Sequence, residues 1–235
     1  MAYLLYGIMK DPVVNGGPMT GVKSKEIFFV TGHGLCVAAS EMSAGDGTPP
    51  VPELLIYSKV VEDFHRLQAI VPMRYGCFLY GIPGIREALK ERQCQYHALL
   101  EKLEGQVEMG IRLLQFDLET PPPAVPPLDG RNYLTRQRVH YQMMDEISQH
   151  HRMLLDRTIQ AFSGLYGKYR VETALKNGSV ILSLYFLVPG NKISLFRETF
   201  WRVVEDGDTK ALISGPWPPY NFVADDLAPP GKYGA

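Results

Sequence analysis

The sequence has almost no net charge: 24 lysines and arginines stand against 25 aspartates and glutamates, a formal charge of −1. So even a balance argues against holding nucleic acid or an acidic membrane by bulk electrostatics. Long apolar runs are missing too. The longest, VILSLYFLV from Val180 to Val188, falls far short of the roughly 20 residues a membrane-spanning helix needs. Cysteine is scarce. Cys36, Cys77 and Cys94 are odd in number and scattered, which fits reduced thiols and not a disulfide framework. The opening residues MAYLLYGIMKDPVV carry no basic stretch ahead of the apolar ones, so they do not read as a secretory leader. These absences predict a soluble, cytoplasmic protein.

Catalytic and nucleotide signatures are absent as well. There is no G-x-x-x-x-G-K-[ST] and no G-x-S-x-G, so neither a phosphate-cradling loop nor a nucleophile elbow has a candidate. Gly32-His33-Gly34 begins like G-x-G, but it joins two strand-like segments, and no phosphate-binding helix follows. It reads as a hairpin turn.

What is present is enough apolar residue for a core: 46% of the chain, with 21% charged. Ala2 to Ile8 reads as a strand, followed by a loop from Asp11 to Gly21. Strands are predicted at about 26–31 and 35–42, then a loop from Ser43 to Pro52. Leu54, Tyr57, Val61 and Phe64 follow helical spacing, in a helix that ends before Pro72. MRYGCFLYG reads as one strand. A second helix is predicted from about Gly84 to Leu103. Val107, Met109, Ile111 and Leu113 alternate with Glu108, Gly110 and Arg112, the period-two signature of a half-buried strand. After the stiff, proline-rich stretch Glu119–Gly130, a long helix is predicted from Tyr133 to about Tyr166. Strands at about 169–175 and 179–188 meet at an Asn177-Gly178 turn. A helix carrying Ile193, Phe196, Phe200 and Val203 follows, then a strand at about 209–214.

From residue 105 the order is β-α-β-β-α-β, the ferredoxin-like arrangement. The expected fold is α+β in two domains. Residues 1–104 form a mixed α+β domain. Residues 105–235 form a ferredoxin-like domain with a long first helix, a proline-rich insertion at 119–130 and a C-terminal tail.

The candidate sites are few. His140, Met144, Ile147, His151 and Leu154 share a stripe of the long helix. No His-x-x-x-His pair places two ligands one turn apart, so the stripe reads as a packing seam and not a metal site. Carboxylates such as Glu41, Glu53, Glu62, Asp63, Glu101 and Glu104 fall mostly on faces expected to meet water. The strand GSVILSLYFLV has no match to the aromatic RNA-binding pattern of ferredoxin-like sheets. No catalytic, cofactor-binding or metal-ligating residue is assigned, and no cofactor is expected. The remaining feature is SGPWPPYNFV, Ser214 to Val223. Three prolines exclude a helix or an inner strand, and Trp217, Tyr220 and Phe222 supply large contact area at low entropic cost. Trp217, Pro218, Pro219, Tyr220 and Phe222 are the candidate interface or structural motif, with Trp217 and Tyr220 expected to pack on the second domain.

Four segments also carry a resemblance. YLLYGI at the start, Phe64-His65 followed by IVPMRYGCF (Ile70 to Phe78), GRNYLTRQR (Gly130 to Arg138) and SGPWPPYNFV are similar, in order, to segments of the gas vesicle protein GvpF/GvpL family. Cys77 stands where threonine is usual there, and Tyr75 where phenylalanine is common. The resemblance implies an accessory or minor structural protein of gas vesicle assembly, without catalysis. It also implies a cytoplasmic location with gas vesicles, and partners that are the wall protein GvpA or other accessory proteins, with no nucleic acid and no lipid membrane. The competing expectation from the residues alone is a small-molecule-binding enzyme on a ferredoxin-like sheet, marked by a deep pocket of convergent polar groups.

Overall fold

A computed structural model describes residues 1–12, 19–42, 49–114, 152–176, 179–205 and 210–223. The proline-rich stretch, the start of the long helix with His140 and His151, the Asn177-Gly178 turn and the C-terminal tail lie outside the described residues. The fold is mixed α+β with two antiparallel sheets. Compactness divides the chain into two units. The first comprises 1–109, 187–190 and 215–235, and the second 110–186 and 191–214. This differs from a single break at residue 104, because the segment from Gly215 onward joins the first unit.

In the first unit, β1 (Ala2–Met9), β2 (Phe28–Gly32), β3 (Leu35–Glu41) and the short β4 (Val71–Pro72) form a sheet of order β2-β3-β1-β4, with β5 (Phe78–Tyr80) also pairing with β1. All eight residues of β1 are buried. Its near-continuous apolar sequence, AYLLYGIM, suits a central strand covered on both faces. The β2–β3 hairpin turns on His33 and Gly34, both at positive φ (57° and 70°). That is the type I′ geometry whose twist matches the flanking strands. Of the segment expected as one strand, MRYGCFLYG (Met73–Gly81), only Phe78–Tyr80 is a strand; the two-residue β4 precedes that segment, and β4 and β5 both run antiparallel to β1. Between them the chain turns at Gly76, φ 93°, and the Cys77 amide bonds the Arg74 carbonyl.

Helix α1 (Val51–Leu67) begins earlier than expected. Pro52 sits in its first turn, where a missing N–H costs nothing. Tyr57, Val60, Val61 and Phe64 of α1 join Leu4 and Tyr6 of β1 in the core. The single helix expected from 84 to 103 is broken at Arg92 (φ −120°, ψ 19°) into α2 (Gly81–Glu91) and α3 (Gln93–Leu103). Each piece keeps its own buried stripe: Ile85 and Leu89, then Tyr96, Leu99, Leu100 and Leu103.

The second sheet has order β7-β8-β6-β9, built from β6 (Gln106–Leu114), β7 (Lys168–Lys176), β8 (Ser179–Pro189) and β9 (Lys210–Trp217). Residues 152–161 are helical (α4) and α5 spans Ile193–Glu205. Leu182, Leu184 and Phe186 alternate inward along β8. Phe186 meets Phe162 and Phe196 at ring distances of 5.6 and 5.4 Å, and Phe162 and Phe196 lie 4.4 Å apart. This aromatic trio is the centre of the second unit's core.

Candidate functional site

The proline-rich aromatic segment starts at the end of β9. That strand runs three residues beyond its expected end and lies at the edge of its sheet. A proline is tolerated there because its missing donor would face away from a neighbouring strand. Gly215 just before it has φ 106°, and a Cβ at that position would come within 2.6 Å of the Glu108 carbonyl oxygen. Only glycine fits.

Pro218 and Pro219 are buried, and the chain then closes a tight turn at Tyr220–Phe222. The Tyr220 amide donates to the Pro218 carbonyl at 2.8 Å and the Phe222 amide to the Pro219 carbonyl at 3.1 Å. Phe222 is fully inside, and Tyr220 packs against the α1–β1 core. The expectation that Tyr220 would pack on the second domain is therefore corrected: its contacts lie in the first unit. Trp217 behaves differently from its neighbours. It remains 42% exposed.

A buried carboxylate locks the turn. Glu108 of β6, 4% exposed, accepts the Asn221 backbone amide at 2.9 Å and the Asn221 side-chain amide at 2.7 Å. The Arg74 guanidinium donates to the Asn221 side-chain oxygen at 3.4 Å. The alternating pattern in β6 placed Glu108 with the polar set. The structure buries it, because the turn supplies the donors that make a buried carboxylate tolerable. Nothing in the local sequence marks it, since its partners lie more than a hundred residues away.

Three of the four resemblance segments meet here. Tyr6 of β1 stacks on Tyr57 at 5.1 Å and 26°, and Tyr75 meets Tyr57 edge-on at 5.3 Å. The Tyr57 hydroxyl shares its one proton between the Leu5 and Met73 carbonyls, each at 2.7 Å. Tyr75 donates to Glu53 at 3.0 Å. Burial, reinforced by neighbouring Tyr220, Cys77, Tyr6 and Tyr75, pushes the Tyr57 phenol well above its ordinary range. Burial pushes Tyr220 up as well, with Glu62 and Glu108 adding to it. These phenols stay neutral and serve as hydrogen-bonding and packing groups. The fourth segment, 130–138, lies outside the described residues.

Beside the segment is a cleft of about 570 Å³ within the first unit. Trp217, Pro216 and Pro218 line it together with His65 and Leu67 from the end of α1, and Leu103 and Glu104 from the end of α3. His65 Nδ1 is buried with no hydrogen-bond partner among the described residues, and burial lowers the imidazole's pKa. Among the described residues, no three His, Cys, Asp or Glu side chains are grouped to hold a metal. The cleft thus brings together an exposed aromatic side chain, proline and leucine surface, and an imidazole whose buried Nδ1 has no hydrogen-bond partner among the described residues.

A family model described as gas vesicle synthesis protein GvpL/GvpF matches residues 2–224. The chain is 19% identical over 222 residues to gas vesicle protein F1 of Halobacterium salinarum, covering 93% of this chain and 91% of that protein. Its fold is similar to two crystal structures of the gas vesicle protein GvpF. The one from an Anabaena species has a TM-score of 0.78 at 16% identity, covering 94% of this chain and 95% of that one. The one from Microcystis aeruginosa has a TM-score of 0.76 at 16% identity, covering 94% and 98%.

Proposed function

The chain belongs to the GvpL/GvpF family of gas vesicle synthesis proteins, and we propose that it acts in vesicle assembly as an accessory or minor structural protein that binds the hydrophobic wall protein GvpA, other gas vesicle accessory proteins, or both. Family membership supports the assembly role. The docking step rests on one observation: Trp217 is held half-exposed on a segment whose next two residues and Phe222 are buried. A tryptophan on so stiff a mount loses little entropy when a partner covers it, and such aromatics dominate interface energies. A wall subunit exposes apolar surface before it polymerises, and a partner that covers that surface keeps it from aggregating. We read the second unit as ferredoxin-like, since its strand order and β-α-β-β-α-β succession match that arrangement. Family membership supports work at the gas vesicle in the cytoplasm; among the described residues no helix is long and apolar enough to cross a membrane.

The test is capture of the wall protein by the full chain and by a Trp217→Ala variant. The variant should keep its fold and bind at least about thirtyfold more weakly, the usual effect of truncating a central anchor. A folded Trp217→Ala protein that binds wall and accessory proteins normally, and supports vesicle formation in cells, would falsify the docking assignment.

A further inference from the structure

We infer that β7 is a self-association edge: two copies of this chain pair β7 with β7, antiparallel, about a two-fold axis at Val171. This contact is separate from the Trp217 face and lies wholly on the second unit.

Strand β7 ends the second sheet, with β8 on one side and, among the described residues, no strand on the other. Its nine residues, KYRVETALK, hold no proline or glycine. From Lys168 to Ala174 every residue is exposed except the half-buried Arg170. The other edges are blunted: β2 has five residues, β4 two and β5 three, and β9 runs into Pro216. A long, uninterrupted edge offers a row of backbone donors and acceptors to another chain. Two identical strands that close antiparallel are centred on one residue, because the two-fold axis stands perpendicular to the sheet and keeps their faces aligned. Charge then selects the centre. About Val171, Arg170 of each copy stands opposite Glu172 of the other, Tyr169 opposite Thr173, and Lys168 opposite Ala174. Both charge pairs attract and no like charges meet. About Glu172, that carboxylate would face itself and Lys168 would face Lys176. About Arg170 two guanidinium groups would meet, and about Thr173 Arg170 would meet Lys176. The Val171 register also buries apolar surface. Tyr169 and Val171 are 43% and 37% exposed, and Tyr169 already packs on the aromatic core, 5.7 Å from Tyr166 and 6.4 Å from Phe186. Pairing brings the two Val171 side chains together and continues that apolar face from one copy to the next. Arg170 and Glu172 lie on the opposite face, where Glu172 accepts the Tyr185 hydroxyl at 3.2 Å.

The experiment runs sedimentation velocity on the full chain from about 1 μM to about 500 μM. The wild type should pass from monomer to dimer with a Kd on the order of tens of micromolar, as suits so small a contact. Arg170→Glu makes both facing positions acidic, and Glu172→Arg makes both basic. Each variant alone should stay largely monomeric, its Kd raised at least about tenfold. An equimolar mixture of the two should form a heterodimer, because every facing pair is then opposite in charge. Repair of an ion pair within one chain cannot produce that result. Amide exchange from 169 to 173 should slow as the wild-type concentration rises. Circular dichroism checks each fold. If Glu172→Arg, which loses the Tyr185 bond, fails to fold, Val171→Lys takes its place: it sets two like charges at the axis and should abolish the dimer. A wild type still monomeric at about 500 μM, a dimer indifferent to Arg170→Glu, or a mixture as monomeric as its parts overturns the inference. Dimers that leave exchange in β7 unchanged form elsewhere on the chain and overturn it too.

Discussion

Replacing Glu108 with alanine should release the turn that carries the aromatic segment. The carboxylate accepts two hydrogen bonds from one residue, Asn221, at 2.9 and 2.7 Å. Hydrogen bonds to a charged group contribute about 1.5–3 kcal/mol each, but Asn221 is half-exposed, so water recovers part of its bonding. The net loss should be about 3 kcal/mol. In a chain of this length each kcal/mol moves the melting temperature by about 2–4 °C, so unfolding should begin about 6–12 °C lower. Asn221→Ala removes the side-chain bond and keeps the backbone one, and should cost about half as much. The double variant should lose less than the sum, because the two residues share an interaction. Thermal unfolding gives the global number. Amide exchange at Asn221 gives the local one, and should accelerate in Glu108→Ala beyond what the global loss explains. A Glu108→Ala protein that loses less than about 1 kcal/mol, with Asn221 exchange unchanged, would refute the lock.

Three further outcomes follow from the same geometry. Tyr57→Phe removes the hydroxyl shared by the Leu5 and Met73 carbonyls and should lower stability to denaturant by about 1–3 kcal/mol, with the ring stack intact. Gly215→Ala forces a Cβ against the Glu108 carbonyl at a φ of 106°; it should cost about 1–3 kcal/mol in backbone strain alone, and more from the clash, read as a lower denaturant midpoint. Burial pushes the Cys36 thiol up to about 12, with Asp11 adding to it. Its folded pKa lies above the unfolded one, so the unfolded chain gives up this proton first. The contribution is complete below the ordinary thiol range and declines as pH rises toward 12, at about 1.4 kcal/mol per pH unit. Cys36→Ala should flatten the stability profile in that alkaline window, and an unchanged slope would count against the burial argument.

What could be read from the sequence was whatever is local. The β2–β3 hairpin followed from two glycines around His33, and the inward face of α1 from the spacing of Tyr57, Val61 and Phe64. The break at Arg92 was not legible, because the residues on either side are ordinary helix formers with a continuous apolar stripe. MRYGCFLYG misled because its apolar residues fit a strand, while the turn at Gly76, at positive φ, leaves only Phe78–Tyr80 extended. At the candidate site the aromatic and proline residues stood out at once. Their division of labour did not: nothing in PWPPYNF distinguishes the half-exposed Trp217 from the buried Phe222. Glu108 and His65 became meaningful only through partners, present or missing, that sequence distance hides.

The return of the chain's last described residues to its first unit has a consequence for biosynthesis. A ribosome delivers the N-terminal strands and helices long before Pro218, Tyr220 and Phe222 emerge. Until they do, the core around Tyr57 lacks its Tyr220 cover and Glu108 lacks Asn221. Nascent chains therefore pass through a stage in which the first unit is nearly complete yet unsealed, and a message truncated ahead of codon 215 yields a protein whose damage lies at its beginning. Such a chain should be prey for proteases along Val51–Leu67 and not merely at its new terminus.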